Sequence, residues 1–441
     1  MKIPPSLPPS ACLPVLVTQS FENVACTVCG CVCDDLRLLV DRGSIVAAEH
    51  ACSLSEPWLL AQTSADDFST QADGKAVSFA EAVAAAADVL RRSRAPLIYG
   101  LSTSSTPGQR AACRLADLLG ATIDTTASTC HAPSIIAVQS VGESTSSLGE
   151  VKNRADMVVY WGSNPLKSHP RHIERYVEAS GMFVPGGRAD RFLVVVDCQR
   201  TATSDIADQF LQVDPGTDFE VLWALRMILK GATPSEDIVG GVPLQQLIQL
   251  AQTMRTCRYG AMFFGLGLTK ASVPHVNVEA LLRLVTDLNS HTRWIARRMR
   301  IPGDVAGADS VLCWQTGFPF SVSFARGYPR YNPGEYTANN LLERGEVDSV
   351  MLVGCEGVEK LSSLARQRLS QIPTIVLANR SNVGDLASSV QFTTAIYGVH
   401  RAGTAYRMDE VPIPLRPVLE SRLPSDEEVI DAIRRSICEK P

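Results

Sequence analysis

The chain has 441 residues, of which 45% are hydrophobic, so it is long and apolar enough to bury roughly three domain-sized cores. Its 41 Lys and Arg residues against 46 Asp and Glu residues give a net charge of -5, which argues against nucleic acid or an anionic membrane surface as a partner. We therefore expect a globular protein that acts on small molecules.

Cysteine usage and the N-terminal composition bear on the cellular compartment. The chain contains 13 cysteines, an odd number spread over a long sequence, which is typical of a protein kept in a reducing environment. The first 20 residues hold no continuous apolar stretch of signal-peptide length, and no later run approaches the length of a membrane span. The sequence predicts a cytoplasmic location.

Four cysteines near the N-terminus form the most informative pattern in the chain. Their positions are Cys26, Cys29, Cys33 and Cys52. The spacing C-x2-C-x3-C-x18-C, with Gly30 giving the backbone freedom to wrap around one centre, predicts an iron–sulfur site. The alternatives are a structural zinc site, which prefers two CxxC pairs, and a set of buried free thiols. Cys31 is either a substitute ligand or a small core residue, and the spacing favours the core residue.

The apolar pattern then changes to alternating helices and strands, which predicts an α/β fold with doubly wound parallel sheets. Predicted strands cover residues 36–40, 44–48, 96–101, 121–125, 157–161, 192–197, 262–266, 294–296, 350–354, 374–378 and 390–396. Predicted helices cover residues 77–91, 108–119, 219–230, 278–289, 358–369 and 427–438. Ligands of such sheets bind beyond the carboxyl ends of the strands, so we expect a site in the loops after Leu101, Trp161, Asp197 and Gly354.

This pattern divides the chain into four regions. Residues 1–75 form a small cysteine-rich region, and residues 76–150 form the first part of an α/β domain. Residues 151–325 form a second α/β domain. Residues 326–441 form the second part of the first α/β domain and a C-terminal tail.

The loop after residue 161 carries hydroxyl, amide, imidazole and guanidinium groups. Its candidate ligands are Asn164, Ser168, His169 and Arg171. Because helix N-terminal amides and an Arg fork hold phosphate oxygens well, the loop is a candidate pyrophosphate site, although loops at strand ends are polar in any case. His169 and His172 could instead bind a metal, but no further ligand lies nearby in the sequence.

Acids, hydroxyls and glycine also follow the next predicted strand. The candidates are Asp197, Arg200, Thr201, Gly216 and Asp218. Asp197 is suited to a sugar or a base amine, or simply to capping a turn. Residues 265–270 match half of a glycine-rich nucleotide signature and fail both the dinucleotide and the P-loop templates.

Two further segments could contribute to chemistry. Cys130 and His131 follow a strand and a Ser/Thr-rich turn, where a thiolate would be a soft metal ligand or nucleophile with an imidazole beside it. A core thiol next to a surface His is the alternative. The polar, aromatic run from Arg326 to Glu335 is a candidate channel lining or a rigid surface turn.

Together these segments resemble the B subunit of formylmethanofuran dehydrogenase, a branch of the molybdopterin oxidoreductase superfamily. The resemblance covers nearly the whole chain. It is carried by the cysteine array with Asp34-Asp35, by Cys130-His131, by the Asn164 to Arg171 loop, by the Asp-x-x-Arg-Thr and Pro-Gly-Thr-Asp segments, and by the run from Arg326 to Glu335.

The resemblance implies a 4Fe-4S cluster on the four array cysteines. Beside it would lie a molybdenum or tungsten ion held by two pterin guanine dinucleotides, with Cys130 as the protein thiolate on that ion. His131 and Arg300 would flank the position where carbon dioxide and formate interconvert. The residues of the two loops after the strands ending at Trp161 and Asp197, together with Gly216 and Asp218, would contact the pterin dinucleotides.

The family works as a complex. The resemblance implies three kinds of partner: an amidohydrolase-like protein that condenses formate with methanofuran, a formyltransferase-like protein and a β-barrel protein. A bacterial formyltransferase/hydrolase complex without redox chemistry, which moves formyl between tetrahydromethanopterin and methanofuran and releases formate, has a related B subunit. That role is the alternative, and a zinc-bearing binding module is a third.

The chain departs from the family pattern after Met299-Arg300. Ile301 to Asp304 stand where Gly-His-x-Asn is usual. Asp304 would bring a negative charge close to a site for an anion, which is unfavourable unless a cation compensates for it.

Overall fold

The computed structural model describes residues 18–64, 69–379 and 388–439. Its strands are β1 (Gln19–Val24), β2 (Leu36–Asp41), β3 (Ser44–Glu49), β4 (Thr70–Ala72), β5 (Lys75–Val77), β6 (Pro96–Gly100), β7 (Thr122–Thr125), β8 (Met157–Trp161), β9 (Phe192–Asp197), β10 (Gln209–Gln212), β11 (Ile238–Val239), β12 (Val242–Pro243), β13 (Tyr259–Phe264), β14 (Arg293–Arg298), β15 (Val322–Ser323), β16 (Arg330–Tyr331), β17 (Ser349–Val353), β18 (Thr374–Ala378), β19 (Val390–Thr393), β20 (Gly403–Tyr406) and β21 (Pro412–Leu415).

The helices connect these strands. They are α1 (Ser55–Leu60), α2 (Phe79–Arg92), α3 (Thr106–Leu119), α4 (Ala132–Val141), α5 (Leu148–Arg154), α6 (Pro165–Ser168), α7 (Ala202–Asp205), α8 (Asp218–Leu229), α9 (Leu244–Thr256), α10 (Pro274–Leu288), α11 (Val305–Thr316), α12 (Ala338–Arg344), α13 (Ser363–Leu369) and α14 (Asp426–Cys438). Within the described ranges, no helix combines the length and the apolar composition that a membrane crossing requires.

A five-stranded parallel sheet is built from the apolar strands in the middle of the chain. Its order is β10-β9-β8-β13-β14. Every residue of β8 and β13 is buried, because helices cover both faces of these apolar runs. The chain adds strands outward from β8 on one side and from β13 on the other, so the strand order reverses between these two strands.

A nine-stranded sheet, in the order β16-β15-β7-β6-β17-β18-β19-β4-β5, forms the second layer of the protein. Its five central strands, β7 to β19, are parallel. Antiparallel strand pairs complete both edges. The strand order reverses between β6 and β17, which marks a second edge suited to ligand binding.

The cysteine-rich region contains a small antiparallel sheet in the order β1-β2-β3. Arg42 and Gly43 connect β2 to β3, and both have positive φ, 49° and 73°. A two-residue turn of this kind matches the twist of the strands it joins. The sheet holds the cysteine loop that lies between β1 and β2.

The α/β fold class is confirmed, and β8, β9 and β18 have the predicted bounds. The predicted helix over 358–369 is wrong as one element: a 3-10 turn covers Val358–Lys360, and α13 begins only after Ser362. The nine-stranded sheet takes in β4 and β15, so it crosses the predicted boundaries at 75/76 and 325/326. Residues 1–17 of the predicted cysteine-rich region lie outside the described residues.

Candidate functional site

The first three cysteines of the array lie in a tight, buried loop after β1. The N–H of Cys26 donates to the carbonyl of Cys33 at 2.8 Å, which closes the loop. The positive φ of this turn, 37°, falls on Val32. This corrects the prediction that Gly30 supplies the conformational freedom. Gly30 is needed for space instead, because a side chain there would collide with the carbonyl oxygen of Arg300, to which its N–H donates at 3.2 Å.

The other three array thiols influence Cys26 electrostatically. Burial, and then the charges of Cys29, Cys33 and Cys52, raise the pKa of Cys26. Cys52 lies just before α1, with its Sγ 3.4 Å from the Oγ of Ser55. In the part of the chain that the structure describes, no three His, Cys, Asp or Glu side chains converge to hold a single metal ion. The ligands of a four-iron cluster, by contrast, each bind a separate iron.

Cys31 also belongs to this group of thiols. It is buried as expected of a core residue, and interaction with Cys29 and Cys33 raises the pKa of its own thiol. Interaction with Cys31, followed by the charges of Arg175 and Arg171, lowers the pKa of Cys33. The sequence spacing gave no indication of this interaction between Cys31 and two array cysteines.

Cys130 and His131 lie between β7 and α4, after a 3-10 turn at Thr126–Thr129. The Cys130 thiol donates to the Thr126 carbonyl at 3.2 Å, and burial raises its pKa to about 11. The Nε2 atom of His131 is buried without a hydrogen-bond partner among the described residues. Burial, followed by the positive charge of Arg300, holds the pKa of His131 well below its usual value. The imidazole is therefore neutral and has one nitrogen available to a ligand.

Arg300 connects this pair to the cysteine loop. Its guanidinium is buried, with Nη1 3.4 Å from Asp309 Oδ2, and its Nε has no hydrogen-bond partner among the described residues. Asp309 in turn accepts from Thr125 Oγ1 at 2.8 Å, next to the turn that carries Cys130. The carbonyl of Arg300 accepts from His169 Nε2 at 2.8 Å as well as from Gly30. Arg300 thus has its main chain at the cysteine loop and its side chain toward Cys130 and His131.

The sequence predicts an unfavourable negative charge of Asp304 beside an anion site. The structure instead gives this carboxyl group three hydrogen-bond donors. Asp304 caps the start of α11, where its Oδ1 accepts from the N–H groups of Gly307 at 3.0 Å and Tyr406 at 2.6 Å. Its Oδ2 accepts from Gln109 Nε2 at 3.1 Å. Burial raises the pKa of Asp304 to about 8, so the carboxyl group is largely protonated at neutral pH.

A cavity of about 160 Å³ lies at the carboxyl end of β6 and β17, where the nine-stranded sheet reverses its order. Its walls include the hydroxyl run from Ser102 to Ser105, Thr27 of the cysteine loop, Glu356 and Asp426. One carboxylate oxygen of each acid, Glu356 Oε1 and Asp426 Oδ1, is buried without a hydrogen-bond partner among the described residues. The loops after Leu101 and Gly354, predicted as site loops, thus line one acceptor-rich cavity.

The sequence pattern did not predict the specific residues of this cavity. Four consecutive hydroxyl residues directly after a buried strand, Ser102 to Ser105, are a signal that could have identified the first wall. Asp426 could not have been found, because it stands at the start of the last helix, far along the chain.

The predicted loops of the five-stranded sheet also meet at its carboxyl edge. Asn164 Oδ1 accepts from Thr203 Oγ1 at 2.7 Å, which joins the loop after β8 to α7, the short helix that follows β9. Asp218 accepts from Trp161 Nε1 at 2.7 Å. Gly162, between β8 and these loops, has a φ of 55° and packs against the backbone of Gly267. This close backbone packing lies at the reversal point between β8 and β13.

Other predicted residues in these loops have local roles. Asp197 accepts from the N–H of Gln199 at 3.3 Å in a turn, and Thr201 caps α7. Arg200 is exposed and stacks on Phe210, 5.1 Å from the ring centroid. Gly216 has a φ of 83° with open space around it.

Three residues of the loop after β8 are engaged within the protein. Ser168 Oγ lies 2.8 Å from His169 Nδ1, so both nitrogens of His169 have partners. Arg171 donates to both carboxylate oxygens of Asp35 at 2.7 and 2.8 Å and also to Glu174. A pyrophosphate could therefore reach Arg171 only if these ion pairs opened. Arg171 instead binds Asp35 of the cysteine region, and His169 is linked to that region through the Arg300 carbonyl.

The run from Arg326 to Glu335 contains β16 and pairs with β15. Tyr331 stacks on Phe318 and donates to Gln139 Oε1 at 3.0 Å. Arg330 lies over the ring of Tyr336, 5.3 Å from its centroid. These contacts are those of a rigid turn whose aromatic residues pack locally, which was one of the two interpretations of this run.

Comparison with known proteins identifies relatives over nearly the full length. No family model matches the chain. It is 40% identical to the B subunit of tungsten-containing formylmethanofuran dehydrogenase 2 of Methanocaldococcus jannaschii, over 96% of this chain and 100% of that protein. The protein of the same name in Methanococcus maripaludis is 36% identical, over 96% of this chain and 99% of that protein.

A solved structure shares the fold. It is a chain of the formyltransferase/hydrolase complex (FhcABCD) of Methylorubrum extorquens, determined in complex with methylofuran. The TM-score is 0.71 at 24% identity, and the match covers 84% of this chain and 99% of that chain.

Proposed function

The chain belongs to the family of formylmethanofuran dehydrogenase B subunits, and on that premise we propose that it is the redox subunit of a one-carbon complex. It interconverts carbon dioxide and formate at a tungsten or molybdenum ion held by two pterin guanine dinucleotides, and a 4Fe-4S cluster carries the electrons. The two relatives named as tungsten-containing enzymes favour tungsten. The higher identity and coverage of these relatives favour the redox role over the formyltransferase/hydrolase role.

The cysteine array fits a four-iron cluster. Cys26, Cys29 and Cys33 are buried in one closed loop, and Cys52 is near enough to influence the pKa of Cys26. Clusters of this type take four Cys thiolates, three of them closely spaced. The cluster would be held by these four residues, with Cys31 as a neighbour.

The two reversal points fit two dinucleotides. The unpartnered oxygens of Glu356 and Asp426 are acceptors, and the aminopyrimidinone edge shared by guanine and pterin presents N–H donors. The cavity of about 160 Å³ is smaller than the roughly 300–1,000 Å³ of common ligand pockets, so it accommodates a ring rather than a whole dinucleotide. The loops after β8 and β9 would hold the second dinucleotide through Asn164, Thr201 and Asp218.

The observation that carries the proposal is the position of Arg300, whose carbonyl accepts from the cysteine loop while its guanidinium pairs with Asp309 beside the turn that carries Cys130 and influences the pKa of Cys130 and His131. When bound, the metal–pterin group would supply the two-electron step between carbon dioxide and formate. Cys130 would ligate the metal. Arg300 would attract the formate carboxylate, and the neutral Nε2 of His131 would hold the proton that is exchanged.

The partners follow from the same family membership. We propose that the chain assembles with an amidohydrolase-like protein, a formyltransferase-like protein and a β-barrel protein. Formate made on this chain would pass to the amidohydrolase-like partner for condensation with methanofuran. The composition FhcABCD of the fold neighbour supports an assembly of several different proteins.

The test compares two activities of the anaerobically purified complex. Wild type is expected to oxidise formate with an artificial one-electron acceptor, Cys130→Ala to lose this activity, and Cys113→Ala, which removes a buried packing thiol, to keep it. Formyl transfer between tetrahydromethanopterin and methanofuran without formate oxidation, unchanged in Cys130→Ala, would overturn the proposal in favour of the non-redox role.

A further inference from the structure

Two arginines form ion pairs with the two residues directly after the third array cysteine. Arg175 donates from Nη1 to Asp35 at 2.6 Å and from Nη2 to Asp34 at 2.7 Å. Arg171, one helical turn earlier, forms the bidentate pair with Asp35. Both arginines flank the start of a π-helical turn at Glu174–Glu178, and the N–H of Arg175 donates to the carbonyl of Arg171 at 3.0 Å. We call Arg171 and Arg175 the arginine pair.

The positive ends of these ion pairs are buried and the negative ends are not. The side chains of Arg171 and Arg175 are 9% and 17% exposed, whereas those of Asp35 and Asp34 are 40% and 42% exposed. Solvent therefore screens the carboxylates more strongly than the guanidiniums. The network has two positive and three negative formal charges, counting Glu174, and its two positive charges are the less screened ones.

We propose that the arginine pair makes the iron–sulfur cluster easier to reduce, with Arg175 as the main positioning residue. This inference rests on the proposed function, because it requires a 4Fe-4S cluster on the cysteine array. Reduction adds one negative charge to the cluster, and a buried guanidinium beside the ligand Cys33 stabilises that charge.

The geometry also separates this role from a purely structural one. Ion pairs that only fasten the loop would work equally well with the carboxylates buried and the guanidiniums exposed. The structure has the opposite arrangement, with the donors of Arg175 directed at the residues that follow Cys33. The reduction potential is the quantity that distinguishes the two roles.

The experiment is an EPR-monitored redox titration of the anaerobically purified complex. Arg175→Gln is expected to make one-electron reduction of the cluster roughly tenfold less favourable, which lowers the midpoint potential by about 59 mV. Arg175→Lys, which keeps the charge, is expected to lie closer to wild type. The matched control is Arg226→Gln, because Arg226 is likewise largely buried, at 9% exposed against 17% for Arg175, and is paired at 2.7 Å to Asp287 in the five-stranded sheet domain.

The outcomes distinguish a failure of this inference from a failure of the proposed function. A four-iron Arg175→Gln variant with the wild-type potential, or with the same shift as Arg226→Gln, overturns this inference and leaves the proposed function standing. A wild-type complex without four irons overturns both. If Arg175→Gln loses its cluster, Asp34→Asn replaces it: removing the exposed acid is expected to raise the potential, and an unchanged or lower potential overturns the inference.

Discussion

The Nε2 atom of His169 lies 2.8 Å from the carbonyl oxygen of Arg300, and this bond joins the two halves of the site. His169 belongs to the loop after β8, whereas Arg300 follows β14 and pairs with Asp309 beside the turn that carries Cys130 and His131. The same carbonyl accepts from Gly30 of the cysteine loop at 3.2 Å. Three segments distant in sequence are therefore fixed at one main-chain oxygen.

The first prediction concerns His169. Replacing it by Gln weakens the contact with the Arg300 carbonyl, and we expect the free energy of unfolding at pH 7.5 to fall by about 1–3 kcal/mol. Burial lowers the pKa of His169 to about 4, so the unfolded chain binds a proton more readily than the folded protein between pH 6.5 and 4. The free energy of unfolding of wild type therefore falls by about 2 kcal/mol between pH 7.5 and pH 5 because of this group, whereas that of His169→Gln has no such contribution.

The measurement is urea unfolding of both proteins at the two pH values. The stability advantage of wild type should shrink as the pH falls. His291→Gln, which alters an exposed histidine, serves as the control. An advantage that stays constant or grows at pH 5 would show that His169 is not held neutral by its site.

The second prediction concerns Asp304. Burial raises the pKa of its carboxyl group to about 8, so the folded protein binds a proton that the unfolded chain releases near pH 4. The contribution of Asp304 to stability consequently falls as the pH rises from 4 to 8. The side chain introduced by Asp304→Asn stays neutral. We therefore expect the free energy of unfolding of this variant to rise relative to that of wild type by about 1.4 kcal/mol per pH unit within this window. Urea unfolding at pH 5, 6 and 7 tests this, and a pH-independent difference would contradict it.

The third prediction separates backbone strain from close packing at two glycines. Gly162 and Gly216 both have positive φ, but only at Gly162 would an added Cβ approach other atoms, 2.6 Å from the Leu268 nitrogen. Gly216→Ala should cost about 1 kcal/mol of unfolding free energy from strain alone. Gly162→Ala should cost about 1–3 kcal/mol more, because the loops at the reversal point must move apart. Equal losses in urea unfolding would argue against tight packing there.

The strands and the loops that follow them were predictable because buried apolar runs bounded by polar residues are a local signal, as in β8 and β18. The break in the predicted helix at Ser362 was not predictable from a local signal. The N–H of Ser362 donates to Asn339 Oδ1 at 2.8 Å, and its Oγ accepts from the N–H of Ala365. The first of these contacts depends on a residue 23 positions earlier in the sequence.

A contact with a residue distant in sequence also explains why the observed contacts of Arg171 differ from the predicted ones. Its loop has the residue types of a phosphate site, but the carboxylate that binds its guanidinium belongs to Asp35, 136 positions earlier. Cys130 and His131 were identifiable because a strand and a Ser/Thr-rich turn precede them. The unpartnered oxygens of Glu356 and Asp426 became visible only when the fold brought two sheet edges and the last helix together.

The most direct test of the central hypothesis is metal and pterin analysis of the anaerobically purified complex. We expect four irons, one tungsten or molybdenum and two pterin guanine dinucleotides per chain, with tungsten or molybdenum lost and iron retained in Cys130→Ser. Cys113→Ser should keep both metals. Zinc in place of iron, or four irons without any pterin, would contradict the hypothesis.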